Sequence, residues 1–186
     1  EPAPVSFGGG AASANLAPRD VTYFSVDIPS NQPSWKVRLE CASGEAALLI
    51  RKDLVPTYGD AMGATYNRPF DGYTADLRRS GDQYYTLSPK AGTNTIPAGR
   101  YYLLAAGLGQ NPVRSGPSSG WKVGSGTSDM VLHSLSNATV TGLGTLPQAG
   151  TVERADSYAG GDNKLYTFTV PANVLALEVR LLDRVG

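Results

Sequence analysis

Asp20-Val-Thr-Tyr-Phe-Ser-Val-Asp-Ile-Pro-Ser-Asn-Gln-Pro-Ser-Trp-Lys-Val-Arg-Leu39 is the stretch on which the fold turns. In its first half Phe24, Val26 and Ile28 take one side while Tyr23, Ser25 and Asp27 take the other. That is the period of a half-buried strand, ended by Pro29. In its second half Trp35, Val37, Leu39 and then Cys41 alternate with Lys36, Arg38 and Glu40. Two such strands joined across Pro29 to Pro33 predict an antiparallel pair. Much of the stretch returns at Asp162 to Leu181, displaced by 142 positions throughout. Asp20/Asp162, Pro29/Pro171, Asn31/Asn173, Val37/Val179, Arg38/Arg180 and Leu39/Leu181 are identical. Phe24/Tyr166, Ser25/Thr167, Val26/Phe168 and Ile28/Val170 are similar. A match without gaps predicts one structural unit begun twice, the second incomplete at Gly186.

Outside this stretch, composition narrows the class. The 186 residues suffice for one large β-domain or two small ones. Lys plus Arg and Asp plus Glu both number 16, so there is no basic field to attract nucleic acid, and that partner is excluded. Gly at 22 and Pro at 13 fit many short strands with many turns. Cys41 is the only cysteine, which rules out an intrachain disulfide and a cysteine-rich metal site. Its place in the alternation predicts a buried core thiol rather than a nucleophile. No apolar run reaches the roughly 20 residues that a spanning helix needs, so no membrane insertion is expected. Glu1-Pro-Ala-Pro lacks the charged and apolar regions of a signal peptide, which leaves a processed secreted chain and a trimmed one equally open.

Taken in order, residues 1–19 are small and polar and read as a loose lead-in with one short strand at Val5 to Phe7. Ala46 to Ile50 is a continuous apolar run, expected as a strand covered on both faces. Leu54 to Asp82 is a long irregular excursion rich in rings, a length often tied to function. Tyr84 to Leu87 and Tyr101 to Ala106 read as strands. A Gly/Ser/Pro-rich run supplies a linker over 111–127, separating a domain at 1–110 from a second β-unit at 128–186. In that unit Met130 to Leu135, Ala138 to Leu143, Leu165 to Val170 and Leu175 to Leu182 are the expected strands. No long stretch has a period of 3.6, so little or no helix is predicted. The fold class is all-β: an antiparallel, jelly-roll-like β-sandwich in tandem with a second, incomplete β-unit.

Four motifs in this order carry a family resemblance. They are Asp20 before Tyr-Phe-Ser-Val-Asp-Ile-Pro, then Trp-Lys-Val-Arg-Leu, then Ala47-Leu-Leu-Ile-Arg-Lys-Asp-Leu-Val-Pro-Thr57, and Ala98-Gly-Arg-Tyr-Tyr-Leu-Leu-Ala-Ala106. Over about residues 15–110 the chain resembles the bacterial pre-peptidase C-terminal domain, and Asp162 to Leu182 resembles the start of another copy. The resemblance implies a β-sandwich of secreted bacterial proteins, set beside a peptidase or other hydrolase, commonly in tandem and related to the collagen-binding modules of collagenases. It also implies calcium as a candidate cofactor, held by acidic residues near the first strands. One departure stands: Glu45-Ala-Ala occupies the place of the family's Asp before the Leu-Leu-Ile strand.

Candidate chemistry is sparse. His133 is the only histidine, and Asp129 and Ser134 are its neighbours along one strand, where alternating faces oppose a convergent triad. Asp53, Asp60, Asp71, Asp76 and Asp82 surround the long excursion and offer a carboxylate pair, but aspartate is also the ordinary turn residue. No run has EF-hand spacing, and Asp20 and Asp162 serve equally as turn residues before their strands, so metal ligands stay unassigned. Asn137-Ala-Thr139 matches a glycosylation acceptor. Tyr58, Tyr66, Phe70 and Tyr73, with Trp121 in the Gly/Ser run, are the candidate ligand-binding residues, since exposed rings stack on sugars or flat peptide groups. Packing the loop against the sandwich is their competing role.

No catalytic constellation emerges, and the chain is expected not to be an enzyme. The leading expectation is an accessory module of a larger secreted or cell-surface bacterial protein, attaching to polysaccharide or extracellular protein, or serving in spacing or adhesion. The alternative is a structural subunit that self-assembles by pairing exposed C-terminal strands between chains. A hydrolase using loop carboxylates ranks third.

Overall fold

In the computed structural model the alternating segments become thirteen strands, and among the described residues there is no helix. The structure describes residues 1–57, 75–77, 81–114, 121–158 and 162–182, with 75–77, 114 and 121 as backbone only. The strands are β1 (Ala3–Pro4), β2 (Gly8–Leu16), β3 (Val21–Ile28), β4 (Trp35–Ser43), β5 (Glu45–Lys52), β6 (Ala75–Leu77) and β7 (Gln83–Leu87). After them come β8 (Gly99–Gly109), β9 (Val113–Arg114), β10 (Trp121–Lys122), β11 (Ser128–Leu135), β12 (Val140–Thr145) and β13 (Leu165–Thr169). One sheet runs β1-β3-β8-β5-β6 and the other β2-β11-β4-β7. All neighbours in the two sheets are antiparallel except β1 and β3. This is the expected all-β sandwich.

Phe24, Val26 and Ile28 of β3, Leu48 and Ile50 of β5, and Tyr101 and Leu103 of β8 meet Trp35, Val37 and Leu39 of β4 and Met130 and Leu132 of β11 in one buried cluster. Ala46 to Ile50 is fully buried as expected from its continuous apolarity. Ala46, Leu48 and Ile50 enter that cluster, while Ala47 and Leu49 join Leu104, Ala106 and Leu108 in a second one on the opposite face. Trp35 is the largest side chain in the core, its ring centroid 5.3 Å from that of Tyr101 at an interplanar angle of 60°. Its indole N–H is satisfied inside: Trp35 Nε1 donates to Ser134 Oγ at 3.0 Å, and Ser134 Oγ donates to Phe7 O at 3.0 Å.

Four expectations are corrected here. β3 and β4 are not a hairpin pair, since β3 lies between β1 and β8 and β4 between β11 and β7. Their apolar faces oppose each other across the core. Alternation specifies which side chains are buried, and it reads the same for partners in one sheet and for strands in facing sheets. The lead-in is no loose segment, because residues 8–16 form the edge strand β2 against β11, with Ala12 and Ala14 packed on the core. Small side chains hid a period of two that strand pairing then enforces.

The third correction concerns the domain boundary. β11, read as part of the unit at 128–186, is an interior strand of the second sheet, paired with β2 on one side and β4 on the other. The first compact unit is Glu1–Ala138 with Tyr158–Asn163, and the second is Thr139–Ser157 with Lys164–Gly186. Nor do 111–127 act as a linker in their described part: β9 pairs with β10, Gln110 bridges Ser125, and Val123 packs on the second cluster. A Cβ on Gly124 would stand 1.6 Å from Gln110 O, so glycine there permits close strand contact rather than flexibility.

The second unit holds β12 and β13 in parallel register, Gly142 opposite Thr167. Thr167 is the repeat partner of Ser25, and Ser25 likewise faces a parallel strand, at Pro4. The repeat therefore includes the way each unit starts. It stops short of the second strand, the fourth correction: residues 175–182 form no strand, and Leu177, Val179 and Leu181 are exposed where their counterparts Trp35, Val37 and Leu39 are buried.

Within the first unit the chain passes from one sheet to the other through a single residue, Gly44, between β4 and β5. Its φ is +66°, and an added Cβ would lie 2.8 Å from both Ser128 Oγ and Thr127 O. Ser128 Oγ braces the crossing by donating to Glu45 O at 2.6 Å and accepting from Gly109 N at 3.1 Å. Gly44→Ala is expected to destabilise by about 2 kcal/mol or more, from left-handed strain plus contact, measured by urea unfolding. Ser134→Ala is expected to lose about 1–3 kcal/mol by the same measurement, since it strands the buried Trp35 N–H. An unchanged midpoint in either variant would contradict the corresponding contact.

Candidate functional site

The densest described chemistry lies on the outer face of the second sheet. Because β4 buries Trp35, Val37 and Leu39, it must turn Lys36, Arg38 and Glu40 outward. Register then selects their neighbours: Thr86 opposes Lys36, Tyr84 opposes Arg38 on β7, and His133 opposes Arg38 on β11. Residues directly opposite share a face. Tyr84, Arg38 and His133 thus form a row across three strands, with Lys36 and Thr86 beside it.

Two cations lie over the Tyr84 ring, Lys36 Nζ at 5.5 Å and Arg38 Cζ at 5.8 Å from its centroid. Both distances fall within the range of cation–π attraction. Arg38 is also fixed by Asp82, donating to Oδ2 from Nε at 3.0 Å and from Nη2 at 2.6 Å. That hydrogen-bonded carboxylate raises the Arg38 pKa further above its ordinary value. Asp82 Oδ1 accepts from the Cys41 amide at 3.2 Å, which ties the pair to the strand backbone. Glu40 Oε2 stands 3.2 Å from Arg38 Nη2 and 3.1 Å from His133 Nε2. Along the next row Lys36 Nζ pairs with Asp162 at 2.5 Å, and Thr86 Oγ1 donates to Asn163 Oδ1 at 2.7 Å. Positive groups on this face are matched by carboxylates, leaving a patterned surface with no large net charge.

The sequence-derived candidates fare unevenly. Tyr58, Tyr66, Phe70 and Tyr73 lie outside the described residues, and of Trp121 only the backbone is described, in β10 opposite Arg114. Among the described aspartates, Asp53 is engaged by Lys52 and Asp82 by Arg38. His133 and Ser134 take opposite faces, Ser134 buried in the Trp35 relay and His133 outward on Glu40, so no triad assembles from them. Asp129, on the outer side, accepts from Ser43 Oγ at 2.6 Å and from Asn15, and these bonds hold its carboxyl below the usual range. Of the acidic residues near the first strands, Asp162 is paired with Lys36, and Glu45 Oε2 accepts from Gly81 N at 2.9 Å. Among the described residues no three His, Cys, Asp or Glu side chains gather around a common point. Tyr84, Lys36 and Arg38 were visible only as outward members of two alternating strands. Nothing in the sequence says that those strands adjoin.

No family model matches the chain, and no curated protein matches it. Solved structures similar to it include the following two. One is PliG of Salmonella Typhimurium, a periplasmic inhibitor of g-type lysozyme, at 13% identity and a TM-score of 0.34, over 70% of this chain and 96% of that one. The other is a family two carbohydrate esterase of Cellvibrio japonicus, at 8% identity and a TM-score of 0.22, over 73% of this chain and 39% of that one. At these values neither likeness bears on function.

Cys41 borders this face from the inside. It is half-buried against the core, and burial first, then the carboxylates of Glu45 and Asp82, push its thiol up to about 11. A raised thiol pKa keeps the unreactive protonated form up to high pH. Iodoacetamide labelling of the native chain at pH 8 is expected to be slower by about tenfold or more than for a thiol at the ordinary value of 9.0, rising about tenfold per pH unit and levelling only as pH approaches 11. Native and urea-unfolded rates that coincide at pH 8 would contradict it.

Proposed function

We propose that the chain is a non-catalytic accessory module of a larger secreted or cell-surface bacterial protein, attaching it to a polymeric substrate, polysaccharide or protein. The observation that carries this reading is the form of the outer face around Tyr84. It is a strand surface on which Lys36 and Arg38 lie over a half-buried ring, with Glu40, Asp82 and Thr86 alongside. Extended polymers are recognised on such surfaces by stacking on a ring and by hydrogen bonds from fixed polar groups. Arg38 is immobilised by two bonds to Asp82, so little freedom is lost when it meets a ligand. Catalysis asks for a nucleophile, base and orienter in convergence, and among the described residues the partner of His133 is the Glu40 carboxylate rather than a hydroxyl or thiol. The order of motifs resembling a pre-peptidase C-terminal domain supports the same reading, and a balanced net charge favours neutral polymers over nucleic acid.

Retention of the chain on insoluble polysaccharides and on collagen tests this. Retention on at least one polymer is expected, weakened about tenfold or more by Tyr84→Ala, the loss typical of a stacking residue. Retention that survives Tyr84→Ala but falls with alanine at Tyr58, Tyr66, Phe70 and Tyr73 would move the site to the long excursion. No retention on any polymer would overturn the attachment role.

A further inference from the structure

Residues 175–182 of the second unit are exposed and form no strand with any of the described residues. Leu175, Leu177, Val179 and Leu181 are all exposed, although the repeat places Leu177, Val179 and Leu181 at the positions of buried Trp35, Val37 and Leu39. In the first unit those positions are covered because β4 lies between β11 and β7 and faces the other sheet. A segment with the same pattern has the chemistry of a strand awaiting a neighbour.

Its polar side carries information about that neighbour. Glu178 and Arg180 project together, Arg180 Nε lying 2.8 Å from Glu178 Oε1, which fits alternate residues of an extended chain sharing a side. Two such segments laid antiparallel with Val179 opposite Val179 set Glu178 against Arg180 at both ends of the two-fold. Leu177 then opposes Leu181 and stays with Leu175 and Val179 on one face, while Ala176 opposes Leu182 on the face of Glu178 and Arg180. A two-residue slip in one direction sets Glu178 against Glu178, and in the other Arg180 against Arg180. Like charges directly opposite are destabilising, so the charges select one register.

We propose that residues 175–182 pair antiparallel with the same residues of a second copy of this chain, in the register centred on Val179. The segment is complementary to itself in charge as well as in apolar pattern, which is the requirement of a two-fold interface. Pairing supplies β-strand neighbours to backbone groups that have none among the described residues and brings the exposed leucines of two chains together.

Sedimentation velocity of the full chain over a wide concentration range tests the proposal. The wild type is expected to dimerise reversibly. Glu178→Arg alone and Arg180→Glu alone each replace two attractive pairs by repulsive ones and are expected to weaken association about tenfold. An equimolar mixture of these two variants is expected to form a heterodimer, because each Arg then meets a Glu, and the double exchange E178R/R180E is expected to restore the homodimer. Both side chains are about two-thirds exposed, so folding is expected to survive, checked by circular dichroism. A wild type that stays monomeric throughout would assign the face to another occupant and overturn the proposal. So would single reversals that leave association unchanged, or a mixture that fails to recover it.

Discussion

Burial of Trp35 is the constraint on which the rest of the first unit depends. Its ring fills the space between the sheets against Tyr101 of β8, and its N–H reaches Ser134 of β11, which holds the carbonyl of Phe7 just before β2. One side chain thus joins four parts of the chain that are far apart in sequence. An indole buried this deeply requires a partner for its single donor, since an unmet donor in the core costs more than a made bond returns. Ser134 meets that need, which is why a hydroxyl occupies an inward position of β11 among Met130 and Leu132.

The same constraint creates the outer face. With Trp35, Val37 and Leu39 committed inward, Lys36, Arg38 and Glu40 have no other direction, and register brings Tyr84 and His133 beside them. The effect of its ion pairs is positional: Asp82 accepts two bonds from Arg38 at Oδ2 and one from the Cys41 amide at Oδ1, which fixes the row. The Asp162 contact to Lys36 ties the start of the repeated stretch to the same face.

The two copies of the repeat make a comparison inside one molecule. Both begin with a strand running parallel to their first repeated strand, β1 on β3 and β12 on β13. They diverge at the next segment. β4 is a strand because β7 and β11 flank it and a facing sheet covers it, whereas 175–182 has the alternation without these neighbours. Alternation alone makes a segment suitable for a sheet. Hydrogen bonds to a second chain segment make it a strand.

The amino-acid sequence by itself determined the all-β class, most strand positions of the first unit and the inward side of each. Val26, Ile28, Trp35, Val37, Leu39 and the run Ala46 to Ile50 are buried as their period or continuity requires. These are local properties: a period of two and the cost of exposing apolar surface suffice to read them. Tertiary structure alone decided that β3 and β4 face rather than pair, that β11 completes the first sandwich, and that small-residue 8–16 is a strand. It also decided which outward residues become neighbours, and hence that Lys36 and Arg38 lie over the Tyr84 ring. Strand partners are chosen by long-range hydrogen bonding and by filling one shared core, and neither leaves a mark within the ten or so residues that a pattern spans.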